Sequence, residues 1–159
     1  MQDELVSHAT FAVERVYPDS PPARVFAAYA DREAKARWST GPKHWRPELE
    51  LDFRVGGRER YRGRPPDGSV HAVDAWYLDI EPDRRIVYAY DVRVGDTRLV
   101  ASLATVELRP EGGRHAAGVY RAGRLFRRRR HHDVRPAHAQ RAGIAGGRAG
   151  ACPGLVTGA

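Results

Sequence analysis

The chain holds a single cysteine, Cys152, so neither an internal disulfide nor an all-cysteine metal cluster can form. It lacks any run of about eighteen apolar residues, the length a membrane-spanning helix requires. The opening MQDELVSHAT has neither the basic start nor the apolar stretch of a secretory signal, so a cytoplasmic setting is expected. The phosphate-loop, dinucleotide-binding and nucleophile-elbow patterns are all missing, which removes the commonest sequence signatures of catalysis. Acids are nearly absent from one region. From Gly112 onward ten arginines face Asp133 alone, a net of +9, which leaves −2 for residues 1–111 of a chain whose total is +7. The pI near 10.1 therefore belongs to the tail and does not mark the whole chain as a nucleic-acid binder.

What is present reads as alternating strands with one helical interruption. Thr10–Tyr17 alternates and predicts a strand, with Phe11 and Val13 on its apolar side. Ser20 and Pro21 form a helix-start signal, and Val25, Phe26 and Tyr29 give that helix one apolar face. Asp31 is placed to cap a second short helix, Arg32 to about Trp38. Strands are then expected at Glu48–Val55, Arg58–Arg64, Val70–Ile80, Arg84–Val94 and Leu99–Leu108. They are separated by Gly56-Gly57, the Pro65-Pro66-Asp67-Gly68 turn, Glu81-Pro82-Asp83 and Gly95-Asp96. A strand, two short helices and then an antiparallel meander is an α+β order.

Beyond Gly112 the composition turns to glycine, alanine, arginine and histidine without a period of two or 3.6, which is the composition of a disordered segment. Arg127-Arg128-Arg129-Arg130-His131-His132 would neutralise phosphates. It lacks an aromatic reading surface, so salt-sensitive, non-specific contact is the most it implies. His131, His132 and His138 lack the cysteine or carboxylate partners of a structural metal site. Asp79, Glu81 and Asp83 sit near a strand end and turn, where acids are common, and are not expected to act as a catalytic pair.

Four strings carry a family resemblance. They are Tyr17-Pro18 with Pro22-Ala23-Arg24-Val25-Phe26-Ala27-Ala28; Asp31 with Glu33-Ala34-Lys35-Ala36-Arg37-Trp38; Asp52-Phe53-Arg54-Val55-Gly56-Gly57; and Asp79-Ile80-Glu81-Pro82-Asp83-Arg84-Arg85-Ile86-Val87-Tyr88. Together, over roughly residues 8–111, they resemble the START-like helix-grip (SRPBCC) superfamily, in particular homologues of the activator of the heat-shock-protein-90 ATPase.

The resemblance implies a curved antiparallel sheet with two short N-terminal helices. In the family a further strand and a long C-terminal helix close an apolar cavity. Cavity candidates here are Trp38, Trp45, Phe53, Tyr61, Asp74, Trp76, Tyr88 and Tyr90, with Asp74 expected inside beside Ala72 and Trp76. Pockets of this kind are lined by aromatics with a few polar groups. The implied function is binding of a hydrophobic small molecule. The alternatives are a co-chaperone-like interaction domain with a chaperone partner and a polyketide-cyclase-like enzyme. No catalytic residue, metal ligand, cofactor, membrane contact or specific nucleic acid is assigned.

The resemblance stops where the tail begins. Codons for Arg114–Arg124 can be written so that the frame beginning at the second base reads GTRLVFTEQG, a family-like strand. The expectation is therefore a domain at 8–111 and a basic tail at 112–159, disordered or out of frame, with the last strand and long helix missing and binding impaired.

Overall fold

The computed structural model describes residues 6–112 and 115–127. One seven-stranded antiparallel sheet carries two short helices. The strands are β1 (Val6–Tyr17), β2 (Glu48–Leu51), β3 (Arg58–Gly63), β4 (His71–Glu81), β5 (Arg85–Val94), β6 (Thr97–Glu111) and β7 (His115–Arg127). They lie in the order β1-β7-β6-β5-β4-β3-β2, so the meander runs unbroken from β2 to β7 and β1 closes beside β7. The helices are α1 (Pro22–Ala30) and α2 (Arg32–Ser39), followed by a short 3-10 turn, Lys43–Trp45. This is the expected α+β class, a helix-grip fold.

Local chemistry explains most boundaries. Asp31 caps α2, accepting the Ala34 N–H at 2.6 Å. At α1 the cap position falls on Pro21, one residue later than the sequence suggests, and no side chain caps it. β2 ends at Leu51 rather than running to Val55, because the chain turns through Arg54–Gly57. Gly56 has φ +78, open to glycine at little cost. Its N–H donates to the Tyr77 carbonyl at 2.8 Å, and the Tyr77 N–H donates to the Gly57 carbonyl at 3.1 Å. That turn docks beside the register shift between Tyr77 and Asp79 in β4.

One part of the expectation is corrected. The last strand is not missing: β7 pairs with β1 from Tyr17↔Ala116 to Val6↔Arg127 and with β6 from Glu111↔His115 to Val100↔Phe126. Ladder bonds join backbone groups, which any residue except proline supplies, and residues 115–127 contain no proline. The basic run from Arg128, the histidines beyond it and the expectation of a missing long helix concern residues outside the described ones.

The core lies on one face of the sheet, under the helices. Val25 and Tyr29 from α1 meet Tyr61, Val73, Ala75, Tyr77, Ile86, Tyr88, Tyr90, Val92, Ala104, Val106 and Leu108. Strand periodicity puts odd residues of β3 and of β4 as far as Tyr77, and even residues of β5 and of β6 from Val100, on this inner face.

Candidate functional site

The inner face is an aromatic surface built by cross-strand pairing. Tyr77 lies opposite Tyr88, which lies opposite Ala104; Ala75 lies opposite Tyr90, which lies opposite Ser102. Rings run continuously from α1 to the middle of the sheet. Phe26 meets Phe53 at 5.5 Å, Phe53 meets Tyr77 at 5.0 Å, Tyr77 meets Tyr88 at 6.0 Å, and Tyr88 meets Tyr90 at 5.7 Å between centroids. These separations suit the edge-to-face and tilted pairs that aromatic quadrupoles favour.

Six of the eight cavity candidates belong to this side. Phe53, Tyr88 and Tyr90 are rungs of the ring series. Trp38 donates its indole N–H to the Ala28 carbonyl at 3.0 Å and sets its ring against Tyr29 at 4.9 Å. Trp45 lies edge-on to the buried His71, 4.9 Å between centroids. The Tyr61 hydroxyl accepts the Gly41 N–H at 3.0 Å. Its ring folds back along β3 over Gly63, where an added Cβ would come within 2.2 Å of the hydroxyl oxygen.

Asp74 and Trp76 are corrections: both stand on the opposite, outer face. The odd residues of β4 pair with Tyr61, Tyr90 and Tyr88, which commits the even ones to the other side. Asp74 there accepts two bonds from Arg62, at 2.9 and 3.0 Å, and lies 3.8 Å from Arg60. Trp76 is 37% exposed, with the Arg58 guanidinium 5.9 Å from its ring centroid.

The residues that sequence reasoning missed are charged. Lys35 of α2 and Glu59 of β3 are each 4% exposed and form a buried ion pair. The Lys35 ammonium also donates to the Tyr77 hydroxyl at 2.9 Å, and that hydroxyl donates to Glu59 Oε2 at 2.6 Å. Three rings surround the ammonium, those of Tyr29, Trp38 and Tyr77, at 5.7, 5.8 and 5.5 Å. Burial, and then the neighbouring Glu59 carboxylate, push the Tyr77 phenol far above its ordinary range. Tyr77 therefore stays a neutral donor. A signal existed in Arg58-Glu59-Arg60-Tyr61-Arg62-Gly63: Glu59 shares parity with Tyr61, while the arginines share the other face. His71 and Ser102, both buried on the inner face, are further polar groups on this surface.

Two other clusters have a different character. On the outer face Asp91 accepts bonds from Arg93 and Arg98 on Oδ2, while its buried Oδ1 has no partner. The bond to Asp91 and its charge hold the Arg93 guanidinium above its usual range. At the end of the sheet a hollow of about 210 Å³ is lined by Glu81, Arg84, Arg85, Glu107, Leu108 and Arg109, none of them a cavity candidate. Asp79 and Glu81 are tied there to Arg85 and Arg84, each at 2.7 Å, as turn ion pairs. Among the described residues no group of three metal-ligating side chains converges, and no helix is long and apolar enough to cross a membrane.

Comparison with known proteins places this architecture. The family model described as Activator of Hsp90 ATPase homolog 1-like protein matches residues 19–138. A solved structure from Rhizobium loti is 37% identical, with a TM-score of 0.70 over 87% of this chain and 91% of that one. One from Rhizobium leguminosarum is 38% identical, with a TM-score of 0.68 over 87% of each chain. An HSP90 activator from Plasmodium falciparum, 20% identical with a TM-score of 0.54 over 84% of each chain, shares the fold. No curated protein matches the chain by sequence.

Proposed function

The chain belongs to the Activator of Hsp90 ATPase homolog 1-like family, and from that premise we propose that its START-like domain binds a hydrophobic small molecule against the inner face of the sheet. The observation that carries this reading is the ring series from Phe26 to Tyr90, bordered by the buried polar groups of His71 and Ser102. Aromatic walls supply apolar contact, and a few polar groups orient a ligand. Trp38, Trp45, Phe53, Tyr61, Tyr88 and Tyr90 are the proposed lining. The proposed setting is the cytoplasm.

A co-chaperone-like role is the second reading. It draws on the family's description and on the Plasmodium activator of the same fold, so it is argument by fold. An enzymatic reading draws less support. The acid and base that meet on the inner side, Glu59 and Lys35, are bonded to each other and to Tyr77.

Binding is proposed to be impaired in this chain. Beyond Arg127 the sequence offers Val134, Ile144, Leu155 and Val156 as its only large apolar residues among six arginines, too few for the apolar face of a long helix. The proposed cause is the reading frame, and the DNA encoding Glu111–Arg114 tests it directly.

The functional test is native mass spectrometry of the purified chain with a medium-chain fatty acid and a polycyclic aromatic, alongside a version with the frame restored. One-to-one complexes, stronger in the restored version, are expected. Binding of an Hsp90-type chaperone with no small-molecule complex in either version would favour the second reading.

A further inference from the structure

The two helices hold the sheet by different means. α1 buries the apolar side chains of Val25 and Tyr29, each 4% exposed. The buried residues of α2 are Lys35 and Ser39, and the Ser39 hydroxyl donates to the Lys35 carbonyl in its own helix. Lys35 is therefore the deepest tie from α2 to the sheet, and it is a charge.

The pattern continues past the helix. The Gly41 N–H donates to the Tyr61 hydroxyl at 3.0 Å, the Arg64 N–H donates to the Trp45 carbonyl at 2.7 Å, and the Trp45 ring meets His71 edge-on. The groups gripped on the sheet, Glu59, Tyr61, His71 and Tyr77, all lie on the inner face of β3 and β4. Both ends of the segment are breaks in the regular backbone. Asp31 is a single extended residue between two helices, with φ −84 and ψ 124. Arg46 takes a left-handed φ of 49 and precedes Pro47.

We infer that residues 32–45 form a flap over the β3–β4 end of the inner face, hinged at Asp31 and Arg46 and latched by Lys35, Glu59 and Tyr77. The physical reason is an asymmetry in what opening requires. Lifting α1 would expose apolar surface to water, with no return. Lifting the flap parts the half-buried Trp38 ring from Tyr29 and its indole N–H from the Ala28 carbonyl, but it otherwise exchanges hydrogen bonds for bonds to water and gives Lys35 and Glu59 back the hydration they lost on burial. A buried ion pair is a weak source of net stability but a specific one, since it rewards one geometry and no other. The flap carries Trp38 and Trp45, so its opening uncovers the surface proposed to bind ligand. That gating role rests on the binding reading above, whereas the motion does not.

Native-state hydrogen exchange on the full chain tests the latch without a ligand. Amides of residues 32–45 should exchange through an opening at least about tenfold more frequent than the one that releases β5. Tyr77→Phe removes one hydroxyl and keeps the ring; it should raise exchange in the segment several-fold and leave β5 and β6 unchanged. Lys35→Met with Glu59→Met replaces the charges by apolar chains and should slow the same amides. Exchange of the segment in step with β5, or a Tyr77→Phe effect spread evenly over the sheet, would overturn the flap. If the double variant does not fold, faster exchange in the segment on adding 8-anilinonaphthalene-1-sulfonate, which binds the surface that opening uncovers, serves in its place, and unchanged exchange in the presence of the bound dye counts against the flap. A mobile flap in a chain that binds no apolar probe would defeat the binding reading alone.

Discussion

The two faces of this sheet are made by alternate residues of the same strands, yet they obey opposite rules. On the inner face Tyr77, Ile86, Tyr90, Ala104 and Val106 are at most 2% exposed, and the charge present is confined to one fully bonded network. On the outer face Leu78 and Leu103 are about half exposed, at 52% and 53%. Charges there are spread through the pairs of Arg60 and Arg62 with Asp74, and of Arg93 and Arg98 with Asp91. The difference teaches where free energy resides. Most polar groups on the outer face can fall back on water, the buried Asp91 being the exception, but those on the inner face cannot.

The sharpest way to break this comparison is to unpair the inner charge. Glu59→Ala leaves the Lys35 ammonium buried among three rings and should lower unfolding stability by about 3–5 kcal/mol in a urea melt. That is a large share of the roughly 5–15 kcal/mol a domain has in total. A loss under about 1 kcal/mol would mean that the network is hydrated. Next come matched aromatic truncations. Tyr90→Ala, at 2% exposure, should cost about 3–5 kcal/mol, by analogy with other buried aromatics. Trp76→Ala on the outer face should cost about 1 kcal/mol or less. Equal losses would erase the distinction between the faces.

A pH scan sharpens the account of Tyr77. Its phenol is raised by burial and by Glu59, so the folded state keeps a proton that the unfolded chain releases above an ordinary phenol pKa of about 10. The unfolded state then binds fewer protons, and stability falls as pH rises past that value. Below it the contribution is constant. Tyr77→Phe should remove this alkaline slope, measured as the urea midpoint against pH. The smallest expected effect is Asp74→Asn, which weakens partly exposed ion pairs with Arg60 and Arg62 and should shift stability by about 1 kcal/mol or less.

How much of this could be read from the residues follows the same division. β5 was legible because Ile86, Tyr88, Tyr90 and Val92 share one parity with nothing large opposing them. The Asp31 cap and the Gly56-Gly57 turn were legible because their chemistry is local. The faces of β4 were not. Val73, Ala75 and Tyr77 compete with Trp76 and Leu78 for the inside, and partners on β3 and β5, which lie far off in sequence, decide the matter. The sequence pattern alone therefore puts Asp74 and Trp76 inside. Lys35 and Glu59 escaped notice because each reads as solvated until α2 and β3 meet. β7 escaped because a ladder between β1 and β6 needs backbone more than side-chain pattern, and composition reports only the latter.

The most direct test of the central claim is the binding affinity of a fluorescent apolar probe, 8-anilinonaphthalene-1-sulfonate, for two matched variants of the folded protein. Tyr90→Leu alters the inner surface and Trp76→Leu the outer one, and both keep an apolar side chain. The account predicts that Tyr90→Leu weakens binding by about tenfold, the loss of roughly 1.4 kcal/mol of contact, while Trp76→Leu leaves it unchanged. Weakening by Trp76→Leu with no effect of Tyr90→Leu would place the apolar site on the outer face and contradict the account.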